Sequence, residues 1–86
     1  ITAALAIAQA TGLSGWIIDK LKGSDSGAAK LAAKVIEFAS DATGNSSTTK
    51  AIERLQNDPL KRKAFKDKVL SNEHELYEYL KLGLHW

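Results

Sequence analysis

Residues 30–41 read KLAAKVIEFASD, and this stretch decides the fold class. Its apolar residues recur at the three- and four-residue spacing of one helix face, and its charged residues recur on the opposite face. We therefore predict an amphipathic helix that is capped by Ser24 or Asp25 and ends near Ala42. The apolar face consists of Leu31, Ala32, Val35, Ile36, Phe38 and Ala39, and the polar stripe consists of Lys30, Lys34, Glu37 and Asp41.

Short helices are predicted on both sides of this helix, and no alternating strand pattern competes with them. An Ala-rich, apolar N-terminal helix ends at Gly23, with Gly12 and Gly15 marking a kink or a turn between two short helices. Further helices are predicted over about 49–56, 59–70 and 73–82. The expected fold is all-α: a small bundle of four to five short helices with an apolar N-terminal helix.

Local signals set the ends of the later helices. Asp58 is a favourable N-cap, and Pro59 suits the first helical position because its missing N–H would be unpaired there. Asn72 followed by Glu75 resembles a capping box for the last helix. The predicted apolar side of the fourth helix contains Leu60, Ala64, Phe65 and Val69.

Composition excludes several classes of protein. The chain has 86 residues, a net charge of +2 and no Cys, which excludes a disulfide scaffold, a thiolate zinc site and a cysteine nucleophile. A chain of this length buries only about 60–65% of its unfolded surface, so its core is thin. The absence of Met leads us to expect a processed start or a piece of a longer chain.

Residues 1–18 carry no charge. We therefore predict two parts: residues 1–22 form an apolar, Ala-rich helix for assembly or membrane contact, and residues 24–86 form a small helical bundle. Small residues four apart allow close helix approach, and a Trp near the charged border is typical of a membrane interface. Three interpretations stay open: packing in a bundle or oligomer, membrane contact, and the end of a secretory signal. The candidate self-association or membrane contacts are Ala4, Ala8, Gly12, Trp16 and Ile17.

A basic cluster occupies the fourth predicted helix. Its positions spread around the helix, so a solvated face is one interpretation and contact with phosphates or anionic lipid headgroups is the other. The cluster consists of Lys61, Arg62, Lys63, Lys66 and Lys68. His74 and Glu78 lie one turn apart but have no third ligand in the sequence. We predict no catalytic residue, no cofactor and no metal.

Part of the chain resembles a viral family. The residues that carry the resemblance are AAKVIEFA at 32–39, Thr43-Gly44, AIERL at 51–55, Asp58-Pro59, and Phe65 with Val69-Leu70. Over about residues 28–70 the sequence is similar to the soluble helical region of three-transmembrane holin-type proteins of bacteriophages and gene-transfer agents. Such holins carry transmembrane helices after this region. For a chain that ends at Trp86, we expect an internal or tail component of a phage particle.

The resemblance and the apolar end lead to one main hypothesis. We expect a non-enzymatic, phage-encoded helical protein that acts by oligomeric assembly, as a virion component or a holin-like membrane-associated protein. Its expected partners are copies of itself or other phage proteins, with the membrane as a further possibility, in the phage particle or at the host inner membrane or cytoplasm. The alternative is a soluble adaptor or nucleic-acid-binding domain that uses the basic helix 59–70. A membrane-active bacteriocin-like peptide is disfavoured by six acidic residues after Thr49.

Overall fold

The computed structural model describes residues 2–13, 15–23 and 25–82, with side chains described through residue 79. This part of the chain is all-helical and contains no strand, which confirms the predicted fold class. Its helices are α1 (Thr2–Thr11), α2 (Gly15–Lys22), α3 (Ser26–Thr43), α4 (Thr48–Asn57), α5 (Pro59–Ser71) and α6 (Glu73–Leu82).

Of the two alternatives predicted for the N-terminal segment, a kinked helix or two short helices, the structure has two helices, so the described chain has six helices instead of four to five. Gly12 adopts a left-handed conformation with φ of 68°, and the N–H of Leu13 donates to the carbonyl of Ala8 at 3.1 Å. This six-to-one bond is the pattern that ends a helix at a left-handed glycine. The chain therefore turns after Thr11 and begins α2 at Gly15.

The helix α3 begins at Asp25, one of its two predicted N-caps, and ends at Gly44, a cap that was not predicted. Asp25 Oδ1 accepts the Ala28 N–H at 2.7 Å, which satisfies an otherwise unpaired donor of the first turn. At the other end Gly44 has φ of 72°, and its N–H donates to the Ser40 carbonyl at 2.8 Å. Asp58 and Pro59 begin α5 as predicted. The Asn72 side chain donates to the Lys68 carbonyl and so serves the end of α5.

The long helix α3 is central and packs against each of the other five helices. Its buried residues Leu31 and Val35 belong to one buried cluster to which all six helices contribute. The buried cluster contains Ala4, Ile7 and Ala8 from α1, Ile17 and Leu21 from α2, Leu31, Ala32, Val35, Phe38 and Ala39 from α3, Ala51 and Leu55 from α4, Phe65 and Val69 from α5, and Leu76 from α6.

The two N-terminal helices are short relative to a bilayer. A membrane-spanning helix needs roughly 20 apolar residues, whereas α1 has 10 and α2 has 8. Across residues 2–13, 15–23 and 25–82, no helix combines the length and the apolar character that crossing a membrane requires.

Candidate functional site

The predicted contact residues of the N-terminal segment lie largely inside the chain's own core. Ala4, Ala8 and Ile17 are buried, because α1 and α2 pack against α3. Gly12 lies outside both helices, so it does not continue the Ala4–Ala8 stripe along a helix face. This stripe is therefore not a free surface, and a partner could reach it only if the fold opened.

Trp16 is half-buried and stacks on Tyr77 of α6, with ring centroids 4.7 Å apart and an interplanar angle of 26°. Its indole Nε1 is enclosed and has no hydrogen-bond partner among the described residues. The ring thus packs α2 against α6, and packing is one of the interpretations that the sequence left open for this segment.

The basic cluster of α5 is divided between two sides of the helix. Lys68 points towards α3, where its Nζ lies 3.8 Å from Asp41 Oδ2 and 5.7 Å from the centre of the Phe38 ring. Lys61 lies seven residues earlier and therefore on the same side of the helix. The other three basic residues, Arg62, Lys63 and Lys66, line a groove on the opposite side.

Arg62 is committed to the fold. Its Nη1 donates to the carbonyls of Leu55 at 3.0 Å and Gln56 at 2.9 Å. These carbonyls belong to the last turn of α4 and have no partner within that helix. A cation near a helix C-terminus is also favourable electrostatically. Arg62 therefore joins α4 to α5, and only part of its donor capacity remains for an external anion.

The groove lies between α5 and the end of α1 and has a volume of about 380 Å³. A smaller niche of about 70 Å³ adjoins it beside α2, and both share Lys66 and Leu70. The groove is lined by Thr11, Pro59, Arg62, Lys63, Lys66, Asp67 and Leu70, and the niche by Gly12, Leu13, Ile17, Lys66, Val69, Leu70 and Glu73.

The two lysines of the groove differ in their ion pairing. Lys63 Nζ lies 3.5 Å from Asp67 Oδ2 in an exposed pair, which contributes little to stability because water screens it. No carboxylate of the described residues lies within ion-pair distance of Lys66. Lys66 is thus the basic side chain of this groove that is most available to an anionic partner.

The outer face of α5, by which we mean Leu60, Lys63, Lys66, Asp67 and Leu70, points away from the core. Leu60 is 78% exposed and Leu70 is 62% exposed, the two largest exposures of big apolar side chains among the described residues. The sequence-based assignment of Leu60 and Ala64 to the apolar side of this helix was wrong. Only Phe65 and Val69 of that set are buried, because they lie on the opposite side of the helix.

The acidic residues of α6 are engaged within the fold. Lys34 Nζ lies 3.4 Å from both Glu37 Oε2 and Glu75 Oε1, and these two carboxylates raise the pKa of Lys34. The Tyr77 hydroxyl donates to Glu73 Oε1 at 2.9 Å, which raises the pKa of Tyr77. Two carboxylates of α6 are thus engaged within the fold: Glu75 pairs with Lys34 of α3, and Glu73 accepts the hydrogen bond of Tyr77.

No group of three or more His, Cys, Asp or Glu within the described ranges could hold a metal ion. His85, the second histidine of the chain, lies outside the described residues.

Comparison with known proteins gives no match: no family model, no curated protein and no solved structure is significantly similar to this chain.

Proposed function

We propose that this chain is a non-enzymatic, phage-encoded helical protein that acts by oligomeric assembly, as a virion component or a holin-like membrane-associated protein. The resemblance over residues 28–70 supports the phage origin. The observation that carries the assembly role is the outer face of α5, where two leucines are exposed on a helix whose other side is packed in the core.

The exposed leucines favour a contact function over a purely structural one. Leaving a leucine in water forgoes about 1.5–3 kcal/mol relative to full burial. Single exposed leucines are ordinary, but here two lie on one face of one helix with charged residues between them. A protein partner that covers this face would recover that burial and pair those charges.

Sedimentation velocity over a range of concentrations, with and without phosphatidylglycerol-containing vesicles, tests the proposal. We expect the sedimentation coefficient to rise with concentration, or the protein to co-sediment with vesicles, and the double variant L60S/L70S to weaken either behaviour. The double variant A29S/A33S is the matched control, since it places serine at two exposed positions of α3. A monodisperse monomer with no affinity for vesicles would contradict the proposal.

The groove itself favours a second candidate, an adaptor or nucleic-acid-binding domain that uses α5. Lys63 and Lys66 are exposed there, and a phosphate backbone would bring the negative charge that Lys66 lacks among the described residues. Duplex binding measured against salt tests this candidate. We expect K63Q/K66Q to reduce the slope of log K against log salt by about one for each phosphate that the variant no longer neutralises, and K30Q/K50Q to leave the slope unchanged.

A further inference from the structure

The outer face of α5 has a spacing that carries the assembly proposal further. Leu60, Lys63, Asp67 and Leu70 follow one another at intervals of three, four and three residues. This is the spacing with which one helix presents a continuous seam to another. At about 100° per residue these four positions fall within about 80° of one another, and all four are exposed. Lys66, the fifth residue of the outer face, lies about 40° beyond Leu70 and therefore at the edge of the seam.

When this seam is read in the opposite direction, each leucine meets a leucine and each charge meets the opposite charge. Leu60 and Leu70 are equally far from the midpoint of the seam, and so are Lys63 and Asp67. We propose, resting on the assembly function above, that two copies of the chain associate through α5 in antiparallel orientation about a two-fold axis. Leu60 then packs against the partner's Leu70, and Lys63 pairs with the partner's Asp67, each contact occurring twice.

Charge complementarity selects a second copy as the occupant. A uniformly acidic partner would leave Asp67 opposed by like charge, and a uniformly basic one would do the same to Lys63. A second copy matches both, and it converts the exposed Lys63–Asp67 pair within each chain into a ring of four alternating charges. Ala64, a small exposed residue next to the midpoint, allows the two helices to approach closely.

The contact is small, since each copy contributes one face of a 13-residue helix. Interfaces at the low end of the size range are weak and transient. We expect a dimer Kd on the order of 0.1–1 mM. In a larger assembly, a second contact of similar strength would raise the overall affinity strongly.

Charge reversal in the full chain tests the pairing. In K63E both cross-pairs become Glu facing Asp, and in D67K both become Lys facing Lys. Each single variant should therefore raise the dimer Kd by roughly 30-fold, as two exposed attractions turn into repulsions. An equimolar mixture of K63E and D67K should regain dimerisation, because every cross-pair in the mixed dimer joins opposite charges. The double variant K63E/D67K should also dimerise like the unmodified chain.

The controls are K50E and E53K, which change net charge by the same amounts at exposed positions of α4. These two variants and their mixture should sediment like the unmodified chain, and circular dichroism should show that all variants stay helical. If the chain associates but the α5 variants do not differ from the α4 controls, the α5 pairing is wrong and the assembly function stands. If the chain is monomeric up to about 1 mM, the pairing is overturned, and the assembly function then rests on vesicle binding alone.

Discussion

At the scale of single residues, Gly27 fixes how closely α6 approaches α3. A Cβ at this position would overlap the backbone carbonyl oxygen of Tyr79 and would lie 2.9 Å from Lys20 Cε. Because the first of these neighbours is backbone, the helices would have to separate to admit a methyl group. We expect G27A to lower the free energy of unfolding by about 2–3 kcal/mol in urea titrations.

The control for this substitution is G15A at the start of α2. A Cβ at Gly15 would meet no atom within 4 Å, so alanine there should stabilise the helix by about 0.5 kcal/mol. If G27A stabilised the chain as G15A does, the close approach of the Tyr79 backbone would carry no energetic cost.

Asp25 makes the stability of the fold depend on pH in the acidic range. Its hydrogen bond with Lys20, at 2.9 Å, and the bond from the Ala28 N–H lower the pKa of this carboxyl below its ordinary value of 3.8. A pKa that is lower in the folded state gives stabilisation that is fully present above the unfolded pKa and is lost as the pH falls through the folded one.

We therefore expect the unmodified chain to lose stability below about pH 4, and D25N to lose less over the same range, when both are unfolded in urea at a series of pH values. Asparagine keeps the capping oxygen, so the difference isolates the charge. The matched control is D19N, an exposed carboxyl on α2. If D25N loses as much stability at low pH as the unmodified chain does, other carboxyls cause that loss.

At the scale of helices, Arg62 distinguishes a structural cation from a binding one. Its two hydrogen bonds to carbonyls of α4 hold the α4–α5 corner. We expect R62Q to cost about 1 kcal/mol of stability, with K63Q within about 0.5 kcal/mol of the unmodified chain, because Lys63 is exposed and weakly paired. Thermal unfolding measures both. If R62Q leaves the stability unchanged, the hydrogen bonds to α4 contribute little, and Arg62 is available to an anion together with Lys66.

The helices that the sequence predicts well are those with local signals. The amphipathic stripe of α3 and its N-cap at Asp25 depend on residues a few positions apart, and the structure uses both as expected. The C-cap at Gly44 is also a local feature, but it is not among the predicted caps. In α5 the apolar residues are distributed around the helix, so periodicity alone could not show that Leu60 faces water. That choice depends on where α3 lies, which is a long-range contact.

The candidate site was predictable only in part for the same reason. The basic residues of α5 are visible in the sequence, but their division into a groove side and an α3 side depends on the packing of Lys68 against Phe38 and Asp41. The small residues Ala4 and Ala8, spaced four apart in α1, could equally face a partner or the chain's own core. Nothing local distinguishes the two, and the structure buries Ala4 and Ala8.

At the scale of the whole molecule, the N-terminal segment and the remainder share one core. Five of the fifteen buried cluster residues come from α1 and α2, including Ile7 and Leu21. A thin core has little stability in reserve, so we expect a chain shortened to residues 24–86 to unfold without a cooperative transition. The milder I7A should remain folded but lose about 3 kcal/mol, whereas Q9A, on the exposed side of α1, should be neutral. Thermal circular dichroism measures all three. A cooperative transition in the shortened chain would mean that α1 and α2 are an appendage, free to leave the bundle and meet a partner.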